Sequence, residues 1–254
     1  MKRVVVVVQA RLKSSRLPAK VLLDLGGVTA LERCLRRVRR FRHVSDVVIA
    51  TSDTAGDEII ERVGQRLGFG VVRGSETDVL SRFALAAEAT KAEVVVRVTS
   101  DCPLIDVEVS STVIERFLGD SSADYASNVM ERKLPRGLDT EVLSREALER
   151  AHRDASDPAE REHVTAHIYR RPSSFRCLSV TLPLVEDLSH HRWTLDTVDD
   201  YRFLHAVFDR LGARADELSF QQVLDVVGHD SALLSLNAGV VQKPTESTEG
   251  PHLG

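Results

Sequence analysis

Five consecutive valines at residues 4–8 lead straight into Gln9, Ala10 and Arg11. A β-branched run is stiff at χ1 and favours the pleated backbone. Successive side chains of a strand point to opposite faces, and here both faces are apolar, so the strand must be covered on both sides. That is the situation of a parallel strand in an α/β sheet rather than of a half-solvated antiparallel one. The run is too short to span a bilayer and no cleavage-site pattern follows it, so it reads as a core strand.

Ligands of such sheets sit at the carboxyl ends of the strands. Here that end carries Arg11, Lys13, Arg16 and Lys20, with the hydroxyls of Ser14 and Ser15 between them. Guanidinium forks, an ammonium and backbone N–H groups together can share the charge of a polyphosphate. The alternative is an ordinary solvated basic loop; its place after a fully apolar strand favours the polyphosphate. The net charge of −4 and the scarcity of aromatics argue against a nucleic-acid partner, leaving these cations a local purpose.

Strand and helix patterns alternate along the first half. Leu31, Leu35, Val38 and Phe41 mark a helix whose arginines (Arg33, Arg36, Arg37, Arg39, Arg40) read as its solvated face. Residues 44–51 read as a strand; Ile59, Ile60, Val63 and Leu67 as a helical stripe ended by Gly68; 70–73 as a short strand; 79–89 as a helix; and 93–101 as a fourth strand. This order predicts an α/β fold with a doubly wound, mostly parallel sheet and right-handed crossovers. Residues 123–128, 138–143 and 176–182 look like further strands with longer excursions between them, which predicts antiparallel additions at the sheet edge. Length suits one domain over residues 1–236, and residues 237–254 have the composition of a flexible tail.

Two aspartates fall where chemistry is expected. Asp101 ends the fourth strand, ahead of Asp106, and Asp196 stands at a junction into a helix marked by Tyr201, Leu204, Val207, Phe208 and Leu211. Mg2+ is commonly held by one or two carboxylates plus substrate phosphates, which these could supply. Their alternatives are a turn for Asp101, and for Asp196 or Thr197 a helix cap, with Asp199 and Asp200 as first-turn acids. No C-x-x-C or H-E-x-x-H pattern points to zinc, and His163 and His167 read as two imidazoles on one helix face. Cys34, Cys102 and Cys177, odd in number and irregular in spacing, suit reduced thiols of the cytoplasm; Cys102 has no base placed around it in sequence. There is no G-x-G-x-x-G of a dinucleotide-binding fold.

The stretch Q-A-R-L-K-S-S-R-L-P-A-K-V-L at residues 9–22 resembles the signature of the cytidylyltransferases of the CMP-sugar-acid synthetase group, of the spore-coat polysaccharide biosynthesis type. T-S-D-C-P-L-I-D at 99–106, R-W-T-L-D-T at 192–197, R-G-S-E-T-D-V-L-S-R at 73–82 and P-R-G-L-D-T-E-V at 135–142 resemble further segments of that family, in order, over about four-fifths of the chain. The resemblance implies a nucleotide-diphospho-sugar-transferase-like fold whose small antiparallel lobe, residues 123–183, makes a homodimer. It implies transfer of CMP from CTP to an anionic acceptor, a sugar acid, sugar phosphate or phosphonate, with release of pyrophosphate.

By the same resemblance, nucleotide binding falls to Gln9, Ala10, Arg11, Ser15, Arg16, Lys20, Arg73, Ser75, Thr99, Ser100 and Asp101; catalysis to Arg11, Lys20, Asp101 and Asp196; Mg2+ to Asp101 and Asp196; and the acceptor to Arg136, Asp139 and Glu141. The chain departs from the family pattern at Lys13, Ala19 and Ser100, which stand where the family carries glycine. A nucleotide-sugar glycosyltransferase shares the sheet type and a metal carboxylate, and a nucleotide-binding regulator without catalysis would share the loop. Neither a nucleic acid nor a membrane is expected as partner.

Overall fold

The valine run forms β1 (Val4–Gln9), the centre of a seven-stranded sheet, in the computed structural model, which describes residues 2–228 and 230–242. Val4, Val6 and Val8 enter one apolar layer and Val5 and Val7 the other, all essentially without solvent exposure. The first layer is closed by α1 (Ala30–Val38) and α4 (Val107–Gly119), the second by α3 (Val79–Thr90) and α5 (Arg145–Asp154). Two-sided burial is thus met by helices on both faces, as a parallel core strand requires.

β2 (Asp46–Ser52), α2 (Glu58–Arg66), β3 (Gly70–Gly74) and β4 (Val94–Thr99) complete the doubly wound half. β5 (Tyr125–Ser127), β6 (Glu141–Ser144) and β7 (Cys177–Ser179) follow, giving the sheet order β3-β2-β1-β4-β6-β5-β7. β6 runs antiparallel to β4, with Val142 opposite Val96, and β5 antiparallel to β6. β7 is parallel to β5, unlike the antiparallel addition its position suggested: the excursion through α5, α6 (Pro158–Glu162) and α7 (Ala166–Tyr169) carries the chain back across the sheet before β7 begins. These strands extend the one sheet.

A third apolar cluster joins Leu25 and Trp193 to α8 (Val198–Leu211), α9 (Phe220–Val227) and α10 (Ser231–Ser235). Two of the α1 arginines expected in solvent are buried under it: Arg33 donates to the carbonyls of Leu25 and Gly26, and Arg37 to those of Ile105, Ala215 and Leu218. These guanidinium groups satisfy backbone carbonyls that packing would otherwise leave unpaired. The His163/His167 pair is not on one helix. α6 ends at Glu162 with His163 as its C-cap, Val164 turns through φ 54°, and His167 faces Glu160 from α7. Residues 243–254 of the expected tail lie outside the described residues, and among those described no helix is long and apolar enough to cross a membrane.

Candidate active site

From β1 the chain winds to β2 and β3 on one side, whereas β4 lies on the other, so the winding reverses between β1 and β4. The carboxyl ends of the strands at such a reversal leave an open crevice, the usual ligand position of doubly wound sheets. Register places Gln9 opposite Thr99, and the Ser100 N–H donates to the Gln9 carbonyl at 3.0 Å. Residues 100–101 therefore stand directly beside the loop that leaves β1. That loop closes on itself through the Ala19 N–H and the Leu12 carbonyl at 2.8 Å, with Ala19 in the left-handed region at φ 55°. A single 3-10 turn (Lys20–Leu22) then turns Lys20 inward. The left-handed backbone is a physical reason for the glycine that the resembling family carries at this position.

The second carboxylate arrives from the far end of the chain. Thr197, not Asp196, caps α8: its hydroxyl accepts from the Asp200 N–H, and Asp200 accepts in return from the N–H groups of Thr197 and Asp196. This capping box satisfies the helix terminus and leaves the Asp196 carboxylate to face the crevice. The strand-like approach is pinned to the turn just after β4 by the Leu195 N–H and the Thr194 hydroxyl, both donating to the Asp101 carbonyl. Gly137 lets the 135–138 turn lie against the same segment. Its φ is 111°, and a Cβ there would stand 2.7 Å from the carbonyl carbon and oxygen of Trp193.

At the centre, the Lys20 ammonium lies 2.6 Å from Asp101 Oδ2 and 2.7 Å from Asp196 Oδ1. The other oxygen of Asp196 receives Arg16 at 3.1 Å and Arg192 at 2.7 Å, and Arg192 also reaches Asp200 at 2.8 Å. Burial opposes the charged form of Lys20, but Asp101 and Asp196 more than offset it and raise its pKa. Burial likewise works against the Asp101 carboxylate, and Lys20 outweighs it and holds the carboxyl below its ordinary range. Burial and the Asp101 charge push the neighbouring Cys102 thiol well above its usual value, so it offers no thiolate nucleophile.

Other expected residues divide between the crevice and its supports. Ala10 is buried at the end of β1, and the Gln9 side chain accepts from Arg97 at 3.2 Å. Arg11 spans the crevice mouth, donating to the Glu76 carbonyl and pairing with Glu162 at 3.0 Å; Ser15 is exposed on the loop. Thr99 lies against the Cys102 sulfur and Ser100 is buried behind Asp101. Arg73 is turned onto the carbonyls of Ser52 and Thr54 and the carboxylates of Glu58 and Glu61, and the Ser75 hydroxyl accepts from the Asp78 N–H. Asp139 is gripped through both oxygens by Arg132 at 2.7 and 2.9 Å. Glu141 is buried in a network with Arg97, Tyr125 and Thr165. Arg136 is half-buried and has no ion-pair or hydrogen-bond partner for its guanidinium among the described residues; burial, then the nearby Arg132, lowers its pKa. Sequence reading left three cations without a role: Arg192, which stands four residues before Asp196; Arg97, inside an apolar strand; and Arg82, inside an apolar helix. A lone cation in an apolar element was the available signal for the last two.

A cationic loop and two converging carboxylates at the winding reversal of a mostly parallel sheet define an anion-handling site on a doubly wound α/β scaffold. The family profile described as cytidylyltransferase matches residues 5–210, and the chain belongs to this family of nucleotidyltransferases. It is 34% identical over 221 residues to the spore coat polysaccharide biosynthesis protein SpsF of Bacillus subtilis, covering 85% of this chain and 90% of that one. It also superposes on the structure of a cytidylyltransferase from Leptospira borgpetersenii with a TM-score of 0.87 and 27% identity, over 96% of this chain and 100% of the other. CMP:2-keto-3-deoxy-manno-octonic acid synthetase, solved in complex with CTP, shares the fold at a TM-score of 0.61 and 18% identity, over 82% and 99% of the two chains.

Proposed function

We propose that this chain transfers CMP from CTP to an anionic acceptor, a sugar acid, sugar phosphate or phosphonate, and releases pyrophosphate. The observation that carries the reading is the Lys20 ammonium seated between Asp101 and Asp196, with Arg16 and Arg192 on the second oxygen of Asp196. Two carboxylates that converge on one cation are a hard-oxygen donor set, and they fit Mg2+, whose remaining ligands come from phosphates and water. When bound, such an ion neutralises phosphate charge and lowers the pKa of an attacking hydroxyl.

The residues of the chain supply position and charge. Lys20 and Arg16, once released from the carboxylates, are within one side chain's reach of a triphosphate laid along the loop, and Arg11 closes its mouth. Fixed cations aimed at the phosphates stabilise the charge that builds on departing pyrophosphate without reorganising at the moment of reaction. The Asp200 capping box keeps Asp196 and Arg192 in place, and the Glu141 network fixes the wall behind Gln9. In-line attack then asks for alignment rather than for a protein base.

Arg136 supports the anionic acceptor. Arg132 and Arg192 beside it are paired, so among the described residues Arg136 is the cation of this corner left for a ligand, and a guanidinium pairs in parallel with a carboxylate or phosphate. We take residues 1–236 as one catalytic domain and 237–254 as a flexible tail. We read the protein as cytoplasmic, a reading supported by its three free cysteines, which would stay reduced there. We further read it as a homodimer formed through the 123–183 lobe, which carries the edge strand β7, a state to be checked by light scattering.

Pyrophosphate release tests the function, measured with CTP, UTP, ATP and GTP, with Mg2+ or Mn2+, against a panel of acceptors. Release from CTP with an anionic acceptor, and little with neutral sugars, is the expected result. Turnover of a sugar nucleotide would point instead to a glycosyltransferase, and tight CTP binding with no turnover to a regulator.

A further inference from the structure

Helices α9 and α10 lie beyond residue 210, where the family profile ends, yet the chain that leaves α10 returns to the crevice. Asn237, the residue at which the C-terminal tail begins, is buried. Its Nδ2 donates to the Arg192 carbonyl at 2.8 Å and to Asp200 Oδ1 at 3.1 Å. Both partners are acceptors, which fixes the amide with its nitrogen inward, and both N–H groups of that nitrogen are used. Gln242, the last of the described residues, accepts from Nη1 of Arg192 at 2.6 Å.

These bonds converge on one side chain. Arg192 gives Nε to Asp200 Oδ1 at 2.8 Å, Nη1 to Gln242, and Nη2 to both Asp196 Oδ2 at 2.7 Å and Asp200 Oδ2 at 3.2 Å. Asp200 has no solvent exposure, so its charge is met inside the fold, by Arg192, by Asn237 and by the N–H groups of Asp196 and Thr197. Without the Asn237 amide, a buried carboxylate and a backbone carbonyl each lose a donor that bulk water does not replace. Nη2 of Arg192 is shared between Asp196 and Asp200, and a shared donor moves toward the acceptor that has lost its other partner.

The consequence falls on Asp196. The terminal torsion of an aspartate is broad, so its carboxylate has no fixed plane of its own. Here Arg192 and Arg16 hold Oδ2, which leaves Oδ1 turned toward Asp101, where the two carboxylates share Lys20. Oδ1 is thus the oxygen presented to a divalent cation together with Asp101. Bonds to the outer side of a ligating carboxylate set its orientation and with it the affinity for the ion.

We propose that Asn237 is a positioning residue for the cation site: acting through Asp200 and Arg192, it fixes the plane of the Asp196 carboxylate, and the stretch from Asn237 to Gln242 is a clasp that closes on Arg192 from the far end of the chain. The inference rests on the reading of Asp101 and Asp196 as the carboxylates that hold the metal. It makes the segment after α10 a working part of the crevice, although that segment supplies no group to the nucleotide or to the ion.

Thermal melting of the full chain with CTP and no acceptor, titrated with magnesium chloride at constant ionic strength, reads metal binding without turnover. Asn237→Leu keeps the side-chain volume and loses both donors, Asn237→Ser keeps one donor, and Leu233→Ala loosens α10 on the third apolar cluster without touching the amide. Asn237→Leu should need about tenfold more magnesium for half of the metal-dependent rise in melting temperature, the lower end of what outer bonds to a ligand carboxylate carry. Its pyrophosphate release should show the same increase in half-saturating magnesium, with the KM for CTP at saturating metal unchanged. Asn237→Ser should fall between Asn237→Leu and wild type, and it carries the test alone if Asn237→Leu does not fold. Leu233→Ala should melt lower and keep the wild-type magnesium requirement. Asn237 variants that keep that requirement, a Leu233→Ala variant that raises it as much as they do, or failure of both Asn237 variants to fold would overturn the proposal and leave Asn237 a plain tie between α10 and α8. A wild-type protein whose melting ignores magnesium with CTP bound would overturn the metal reading itself, and this inference with it.

Discussion

Replacing Lys20 by methionine removes the ammonium from between Asp101 and Asp196 while keeping most of the side-chain volume. Breaking a buried ion pair by deleting one partner usually costs about 3–5 kcal/mol, because a desolvated charge is left behind. Here the side chains of Lys20, Asp101 and Asp196 are 12%, 22% and 16% exposed, and Asp196 keeps Arg16 and Arg192, so the loss is set lower, at about 2–3 kcal/mol at neutral pH. At about 2–4 °C per kcal/mol for a chain of this size, the variant should melt roughly 4–12 °C below wild type.

The carboxylates left facing each other are then an open cation site. A ligand at a hundred times its Kd stabilises the folded state by about 2.7 kcal/mol. A magnesium titration followed by scanning calorimetry, against sodium chloride of equal ionic strength, should restore much of the lost melting temperature in Lys20→Met. The same concentrations should leave wild type nearly unchanged, since its own ammonium competes with the metal. The deficit also depends on pH. The Asp101 pKa is depressed in the folded protein by Lys20, so this stabilisation is present above the unfolded carboxyl value of about 3.9 and is lost as pH falls through the depressed value. The difference between the two proteins should therefore shrink in acid. An equal response of both proteins to magnesium, or a variant as stable as wild type without it, would refute the assignment of this position to a cation.

Arg136→Ala should raise the acceptor's KM about 10–100-fold, the equivalent of a charge-assisted hydrogen bond of about 1.5–3 kcal/mol, and leave CTP affinity unchanged in steady-state kinetics; a loss of CTP affinity instead would place Arg136 in the nucleotide site. Gly137→Ala should lower the melting temperature through a cost of about 1–3 kcal/mol or more, because the added Cβ meets the Trp193 backbone at 2.7 Å, and should depress activity by moving the segment that carries Asp196. Ala19→Gly should raise the denaturant midpoint by about 0.5–1 kcal/mol of stability. The left-handed backbone costs an L-residue about 1–2 kcal/mol, and glycine returns part of that as unfolded-chain entropy.

The sequence by itself determined what depends on local pattern. The valine run could only be a two-sided core strand, the alternation after it could only wind as parallel units, and Asp101 and the Thr197 cap lie where strand-end and helix-start signals placed them. Periodicity reports the state of a residue's own element and not the partner it meets. Lys20 meets carboxylates 81 and 176 positions away, a convergence that exists only because winding reverses between β1 and β4 and α8 returns to that edge. The α1 stripe looked solvated until the third cluster covered it and turned Arg33 and Arg37 into donors for buried carbonyls. Asp139 follows the expected turn and Glu141 opens β6, yet Arg132 and Arg97, brought in by neighbouring segments, hold their oxygens in place. Tertiary structure alone decided which charges are paired and which wait for a ligand, because burial removes water as the default partner and every buried polar group must then find one in the fold or in what the fold binds.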